Sequence, residues 1–454
     1  MNQADDSWTL CVDFGTAYSK AVAAPSDAWA RFDPALVRPL MLSGADFGGN
    51  AFLLESAVFV DDDRILFGPA ALERADALAH KKRMALRSFK TLLSVSDLER
   101  ALNTSAPLSI DPHRLFPMRD LIVLYLAYLS AAIDRAVACD PVLAGIGEFE
   151  RRYAAPAWRG GDSAGSHAVV VGLFAEAEAL CNIVGDELLS AKGLKVKTTT
   201  GSLAAARAAP RRRDMGLIFE ATAAAAYTSI GLEESASHLI VVDVGAGTTD
   251  IAAMARRGKR IEELPEARVT IKQAGDYIDR IIADIAIKAS PWAKSSAQQT
   301  ELWGALLRNM RDIKESLFLD GRAVLRNEGR VLTLNLRDLE RDRDFHDFTR
   351  SLADAYEHGL EVVRDAALKA ERREVQAIAV GGGAAAPFVQ ELIRRKPSRS
   401  GNLRFVPRPA TPEWAHAREF RGNLAPVFPQ LAIAIGGALA PETMLAALGG
   451  SIGP

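Results

Sequence analysis

The 454-residue sequence predicts an α/β protein of two lobes, each with a mixed β-sheet and flanking helices. Two observations support this fold class. Segments with strand patterns alternate with segments of helical periodicity along the chain. In addition, two similar strand-then-loop segments, residues 10–20 and 239–250, lie about half the chain apart. We therefore expect lobe I at residues 1–235 with 425–454, and lobe II at residues 236–424, with smaller subdomains near 38–117 and 276–344.

The strand segments are recognised from apolar runs that end at glycine or aspartate. A hairpin is predicted at residues 8–24, a strand–turn–strand at 56–68, and a strand just before Pro156. A second hairpin strand leads into residues 239–250, and a further strand at 377–380 runs into three consecutive glycines.

Helices are predicted where apolar residues recur at helical spacing. The predicted helices lie at residues 70–93, 119–138, from 220, from 275, 301–319, 345–370, from Pro387, and in the C-terminal region from 425. Residues 160–166 are rich in glycine and serine and predict a flexible loop that opens an insertion at about 160–216.

Composition excludes several functional classes. The net charge of −2 gives no reason to expect nucleic acid or an anionic membrane as a partner. Three cysteines are too few for a disulfide framework, and the seven histidines show no metal spacing. Residues 1–6 are polar and acidic, unlike a secretory signal, and the apolar stretch 121–133 falls short of the ~20 residues of a membrane span. We therefore expect a cytoplasmic chain without a covalent cofactor.

The two strand–loop segments carry the chemistry. In each, an aspartate at the end of an apolar strand, Asp13 or Asp243, precedes glycine and small hydroxylated residues. Glycines allow close approach of the backbone, and N–H and O–H groups can surround a phosphate. A carboxylate would repel that phosphate unless a hard cation lay between them. The pair of loops therefore indicates two lobes that hold one metal–nucleotide complex.

These segments, in this order, resemble the nucleotide-binding motifs of the actin-like ATPase superfamily, most closely the DnaK-type heat-shock chaperone family (heat shock protein 70-like). The first and second loops are similar to the two phosphate motifs of that family. The other matching segments are the connecting motif at 219–225, the adenosine motif at 380–383 with Pro387, the second connecting helix at 432–438, the lysine segment at 88–93 and the glycine turn at 274–276.

The resemblance implies a role for each matching residue. Asp13 and Asp243 would hold Mg²⁺ through water, and Glu220 and Asp250 would orient the attacking water. Lys90 would stabilise charge on the γ-phosphate, and Thr248, also a catalytic candidate, would grip the outer phosphates from the other lobe. The residues implied to contact the nucleotide are Gly15, Thr16, Ala17, Tyr18, Lys20, Gly245, Ala246, Gly247, Gly275, Lys314, Gly381, Gly382 and Gly383. Of these, Lys20 matches a phosphate-contacting lysine of actin rather than of the heat-shock branch.

The chain also departs from the family. Arg311 and Phe318 stand where the family offers a glutamate and a serine to adenosine, and Ala385 replaces an arginine that stacks on adenine. Ala221 replaces the proline of the connecting motif. In the family, a proline and an arginine relay the nucleotide state. Pro156 matches that proline, and Ala164 stands in place of the arginine. No substrate-binding domain is expected after the last motif.

Three functions stay open at this level. The first is a stand-alone ATPase, converting ATP and water to ADP and phosphate, that acts as a nucleotide-driven switch for a protein client or partner. The second is an actin-like filament-forming ATPase, and the third is a non-hydrolysing nucleotide-binding scaffold. A Rossmann site at Gly245 would lack its third glycine, a nucleophile elbow at 161–165 would lack a clear preceding strand, and a sugar kinase would lack a sugar-binding pattern.

Overall fold

The computed structural model describes residues 7–43, 49–88, 92–93, 95, 97–155, 163–210, 215–230, 238–257, 260–327, 329–397 and 402–445. The chain is a mixed α/β protein, as the alternation of strands and helices predicts. It divides into two compact units. Unit 1 comprises Met1–Ala236, Arg256–Glu263 and Thr411–Pro454, and unit 2 comprises Ser237–Ala255 and Leu264–Ala410.

Unit 1 is built on a six-stranded sheet and a smaller three-stranded sheet. Its strands are β1 (Trp8–Asp13), β2 (Tyr18–Pro25), β3 (Arg38–Pro39), β4 (Leu54–Glu55), β5 (Val58–Val60), β6 (Arg64–Phe67), β7 (Phe149–Ala155), β8 (Leu194–Lys195) and β9 (Gly216–Phe219). The large sheet has the order β3-β2-β1-β7-β9, with β4 also paired to β2, and the small sheet has the order β5-β6-β8. The predicted hairpin, the strand–turn–strand and the strand before Pro156 are thus confirmed.

The described helices of unit 1 pack on its two sheets and on one another. They are α1 (Gly68–Ala77), α2 (Leu98–Leu102), α3 (Met118–Cys139), α4 (Ser163–Val184), α5 (Val196–Ala208) and α6 (Glu220–Ser229), followed near the C-terminus by α12 (Ala432–Leu439). Most of α3 is buried in the main core of the unit, and α4 packs against it.

Unit 2 is built on a main sheet whose strand order is equivalent to that of the large sheet of unit 1. Its strands are β10 (His238–Val244), β11 (Thr249–Arg257), β12 (Arg260–Ile271), β13 (Arg322–Asn327), β14 (Arg330–Asn335), β15 (Glu374–Val380) and β16 (Arg404–Arg408). The end of β11 and the start of β12 fall within Arg256–Glu263, which is assigned to unit 1. Its helices are α7 (Gly275–Ala289), α8 (Ser296–Asp320), α9 (Leu336–Glu340), α10 (Arg343–Lys369) and α11 (Pro387–Leu392). The main sheet has the order β12-β11-β10-β15-β16, and β13 and β14 form a separate hairpin.

The helix predicted at 119–138 is confirmed as α3, Met118–Cys139. The expectation that its apolar stretch falls short of a membrane span is wrong, because the helix has 22 residues. The aspartates on either side of the apolar stretch 121–133 lie within the helix. Asp120 pairs with Arg207, and Asp134 pairs with Arg151. By length and apolar composition, α3 and the helical stretch Gly165–Leu189 could each cross a membrane. The most apolar part of α3 is 78% buried, which suits a core helix, whereas that of the second stretch is 39% buried.

Three other expectations need correction. The flexible loop expected up to residue 166 is already helical from Ser163, because α4 buries an apolar face that includes Phe174 in the main core. The helix expected over 70–93 ends at Ala77, and Leu86 instead forms an extended pairing with Val58. The C-terminal helix begins at Ala432 rather than 425, because two prolines in the preceding segment remove backbone donors and the chain there is a 3₁₀ helix.

Helix α12 is held in unit 1 by close backbone contact and by one buried arginine. A Cβ at Gly436 would overlap the carbonyl oxygen of Ala223 in α6, so only glycine permits this approach. The guanidinium of Arg152, on β7, donates to the carbonyls of Gly437 and Ala440 and forms two hydrogen bonds with Glu150. These contacts satisfy carbonyls that the end of the helix leaves without partners.

We predict that Gly436→Ala destabilises the protein by about 1–3 kcal/mol, because the added methyl group must displace α6. Gly201, within α5, is the matched control because its Cβ would meet open space. Gly201→Ala should stabilise by up to about 1 kcal/mol through helix propensity. Urea unfolding followed by circular dichroism measures both changes. Equal effects of the two substitutions would contradict the packing of α12 on α6.

The three cysteines should differ in reactivity towards a thiol reagent. Burial raises the pKa of Cys11 well above its usual range and raises the pKa of Cys181 to about 12. Both thiols therefore stay protonated at pH 8, and the thiolate is the reactive form. Cys139 is exposed. We predict that a disulfide reagent labels Cys139 rapidly and labels the other two only in urea; rapid labelling of all three in the native protein would refute this arrangement.

Candidate functional site

The two main sheets carry their aspartates at equivalent positions. In the first hairpin Asp13 pairs with Lys20, and in the second Asp243 pairs with Asp250. Each aspartate therefore faces the residue seven positions later. Both central strands, β1 and β10, pair antiparallel on one side and parallel on the other. The same turn is thus built twice, once in each unit.

In unit 1, a lysine lies directly on the aspartate. The Nζ atom of Lys20 is 2.7 Å from Oδ2 of Asp13. The Asp13 side chain is 2% exposed and that of Lys20 is 12% exposed, so the ammonium group neutralises a carboxylate removed from water. The resemblance implies that Lys20 contacts phosphate; in the structure its amino group contacts Asp13.

The backbone of the first loop depends on a glycine. A Cβ at Gly15 would overlap the carbonyl oxygen of Tyr18, so another residue there would open the turn. Gly15 is buried, while Thr16, Ala17 and Tyr18 are partly exposed at the tip. The tip residues are therefore the part of the loop that a ligand can reach.

Buried hydroxyl groups fix this loop from below. The Ser56 hydroxyl donates to the Gly15 carbonyl at 2.8 Å, and the Ser56 backbone N–H donates to the Ala17 carbonyl at 2.9 Å. The Tyr125 hydroxyl donates to Ser19 Oγ at 2.9 Å, and Ser19 and Ser56 are 3.2 Å apart. Burial raises the pKa of Tyr125, so its hydroxyl keeps the proton that it donates. Sequence reasoning missed these residues, because nothing local to Ser56 or Tyr125 indicates the loop.

Glu220 lies at the same edge of the sheet as Asp13. Strands β1, β7 and β9 are parallel neighbours, so their carboxyl ends meet at one edge. Glu220 follows β9 directly and is the first residue of α6, where the helix dipole favours a negative charge. Unit 1 thus brings together Asp13, the first loop and Glu220. Lys90 lies outside the described residues.

In unit 2, the second loop is closed by its own backbone and by threonine hydroxyls. The Gly245 N–H donates to the Thr248 carbonyl at 3.0 Å. The Thr248 hydroxyl donates to Asp250 Oδ2 at 2.9 Å, and the Thr270 hydroxyl donates to Asp250 Oδ1 at 2.6 Å. Asp250 is therefore held in a fixed orientation. Thr270 was not foreseen, since it lies twenty positions along the chain, on β12.

The start of α7 supports the second loop. The backbone N–H groups of Gly275 and Asp276 donate to the carbonyls of Gly245 and Ala246, at 3.2 and 2.8 Å. Two free donors of the helix N-terminus are thereby used to fix the loop, while the neighbouring Gly247 stays partly exposed. Lys314 also reaches this region, because a Cβ on Gly275 would lie 3.3 Å from its Nζ. That amino group pairs with Asp279 at 2.7 Å.

The three consecutive glycines pack on the end of β10. Gly381 has a φ of +85°, and a Cβ there would overlap Oδ1 of Asp243. The Gly383 N–H donates to the Val244 carbonyl at 2.9 Å. Gly382 is exposed between them. Unit 2 therefore gathers Asp243, the second loop and this glycine turn at one edge of its sheet.

The positions that depart from the family pattern have partners of their own. Arg311 forms an i,i+4 ion pair with Glu315 at 2.9 Å. The Phe318 ring is 5.8 Å from the Phe388 ring, which also packs against Phe345 and Phe348. Ala385 is exposed. Phe318 is thus a packing residue that offers no hydrogen bond to a ribose or base.

The donor set suits magnesium bound mostly through water and phosphate. Among the described residues, no three histidine, cysteine, aspartate or glutamate side chains cluster as a metal site. Mg²⁺ commonly uses one or two carboxylates and keeps several waters, and each unit offers one aspartate beside a glycine-rich turn. Asp13 and Asp243 are therefore chemically suited to hold it.

Comparisons with known proteins give no independent assignment. No protein-family model matches this chain, and no curated protein matches it.

We predict that Lys20→Met destabilises the protein by about 3 kcal/mol, because the buried Asp13 carboxylate loses the ammonium that neutralises it. The double variant, Asp13→Asn with Lys20→Met, should lower the free energy of unfolding less than Lys20→Met alone. Lys294→Met is the matched control, since Lys294 is exposed. Urea unfolding of the parent, both single variants, the double variant and the control measures the coupling; a Lys20 variant as stable as the control would refute a buried ion pair.

Proposed function

We propose that this chain has the actin-like ATPase fold and acts as a heat-shock-chaperone-like ATPase. Its two loops would bind one Mg²⁺–ATP, and hydrolysis would drive a change of conformation. The observation that supports this most strongly is the repeated hairpin, with Asp13 and Asp243 in the same register within sheets of the same strand order. The proposal accounts for the duplication of the turn, because both copies would bind the phosphates of one ligand.

The proposed roles follow from the geometry of each unit. The partly exposed tip residues Thr16, Ala17 and Tyr18 offer backbone N–H groups and a hydroxyl to the outer phosphates. The second loop, 245–248, offers the same kinds of donor from unit 2. When bound through Asp13 and Asp243, Mg²⁺ would neutralise charge that develops on the phosphates.

Two carboxylates are suited to orient the attacking water. Glu220 stands at the sheet edge that carries Asp13, and Asp250 is fixed by Thr248 and Thr270. In phosphoryl transfer the protein mainly positions reactants and stabilises charge, so such oriented acceptors contribute directly to the rate. Bond cleavage passes the γ-phosphoryl group to water and leaves ADP.

Lys20 gives the first loop a switchable contact in this proposal. Its ammonium group rests on Asp13 at 2.7 Å. Phosphate oxygens would attract the same ammonium group, so nucleotide binding would draw Lys20 from the carboxylate to the phosphate. Asp13 would then be available to water bound to the metal.

A second candidate function is nucleotide binding without turnover, as a scaffold. The packing of Phe318 against Phe388 supports it, because the family uses that position to hold adenosine. Phosphate contacts alone can retain a nucleotide, but a loosely held base positions the γ-phosphate less well.

The deciding test is Mg²⁺-dependent ATP hydrolysis by the purified chain, with ATP binding measured by calorimetry. We expect turnover in the parent, and a loss of at least about 100-fold in Asp243→Asn and in Glu220→Gln. Asp354→Asn, at an exposed position on α10, is the matched control and should keep full activity.

The outcomes separate the candidates. Binding without turnover in the parent would favour the scaffold. Turnover that survives Asp243→Asn would mean that another protein contaminates the sample or that the site is elsewhere. Absence of ATP binding would contradict the proposed function.

A further inference from the structure

An exposed apolar and basic surface lies in unit 1. We call it the 84/108/115 surface after its three apolar residues. The exposed fractions of Met84, Leu108 and Leu115 are 59%, 54% and 47%. These residues come from two segments, 78–88 and 105–117, which carry four further exposed basic residues: Lys81, Lys82, Arg87 and Arg114.

Hydrogen bonds hold the two segments side by side. The Met84 N–H donates to the Ser109 carbonyl at 2.8 Å. The guanidinium of Arg83 donates to the carbonyls of Val60, Ser109 and Ile110, and it lies 5.0 Å from the centre of the Phe59 ring. Met84 and Leu108 therefore belong to one continuous surface.

The segment 105–117 is a closed loop whose backbone keeps Leu108 and Leu115 exposed to solvent. Ser105 pairs with Pro117, and the Ala106 N–H donates to the Phe116 carbonyl at 3.4 Å. The Asp111 carboxylate is fully buried and accepts backbone N–H groups of His113, Leu115 and Phe116. Three prolines, at 107, 112 and 117, stiffen the loop further. The exposure of Leu108 and Leu115 is thus imposed by a rigid backbone.

The same surface contains strained backbone. Lys82, Ser88 and Arg114 have φ values of 57°, 53° and 53°, a conformation that side-chain-bearing residues rarely adopt. Such strain persists where the surrounding contacts fix it, and it concentrates at functional surfaces. A surface held in one conformation loses little entropy when it binds.

Within the two segments the exposed lysine and arginine side chains have no exposed acidic side chain beside them, because the acidic residue there, Asp111, is buried. Acidic side chains lie on the neighbouring β5–β6 turn, where Asp61 interacts electrostatically with Arg83 and Asp62 lies 3.8 Å from His113. The net charge of −2 for the whole chain says little here, because salt screens charges beyond about 10 Å.

We propose that the 84/108/115 surface docks this protein on an anionic lipid membrane. Exposed apolar side chains on closed turns can enter the interface between headgroups and acyl chains, while flanking lysine and arginine side chains contact acidic headgroups. A helical peptide partner would need a groove to cover its own apolar face. Met84 and Leu108 instead expose more than half of their surface. The proposal does not depend on nucleotide binding.

The test is flotation of the full chain with vesicles of phosphatidylcholine that contain about 30% phosphatidylserine. We expect binding that weakens as salt increases, and little binding to phosphatidylcholine alone. Leu108→Ser with Leu115→Ser should lower the partition coefficient roughly 25-fold, about fivefold for each leucine. Lys81→Gln with Arg87→Gln should lower it by a similar factor.

Matched controls use exposed residues elsewhere on the chain. Leu319→Ser with Leu368→Ser, and Arg343→Gln with Arg350→Gln, change the same kinds of side chain in unit 2 and should leave binding unchanged. Circular dichroism confirms that each variant is folded.

The proposal fails if the parent chain does not float with anionic vesicles, or if the controls lose as much binding as the surface variants. Equal binding to neutral vesicles would also overturn it. If soluble poly-glutamate binds and vesicles do not, the surface docks an acidic protein segment instead.

Discussion

The hairpin register is the constraint on which the candidate site depends. In each unit an aspartate is the last or last-but-one residue of the central strand and pairs with the residue seven positions later, Lys20 or Asp250. The six intervening residues must therefore reverse direction within a fixed distance. At Gly15 the turn is so close that a Cβ would overlap the Tyr18 carbonyl. The carboxylate and the turn are consequently placed together by the backbone, before any side chain contributes.

The two copies of the turn are supported in different ways. In unit 1 a buried hydroxyl cluster of Ser19, Ser56 and Tyr125 lies under the loop, and an ammonium group neutralises Asp13. In unit 2 the backbone of α7 and the glycines after β15 provide the support. A polar network that is fully hydrogen-bonded in a low-dielectric interior fixes its members strongly. The second turn relies mainly on backbone contacts, which side-chain substitutions perturb less.

The sequence predicts those parts of the fold that local patterns determine. Apolar runs before Asp13 and Asp243, and helical periodicity in α3 and α10, identify their elements because each pattern is complete within a short segment. Partners distant in sequence leave no such pattern. The Thr270 hydroxyl on Asp250 and the Ser56 hydroxyl on Gly15 are examples. Local propensity predicts helix at residues 84–88. The extended pairing of Leu86 with Val58 overrides that propensity in the structure.

The departures from the family pattern concentrate at positions that would contact a base, and this has a physical reason. In the proposed function, phosphate would be bound by backbone donors and carboxylates whose geometry the hairpins impose, so few substitutions would remove that binding. Base recognition rests on individual side chains, such as those at Phe318 and Ala385, which can change without disturbing the sheet. Phe318 stabilises unit 2 by packing on Phe388, so its replacement of a polar residue is compensated within the fold. If the two turns bind phosphate as we propose, the chain can keep them while its preference among nucleotides shifts.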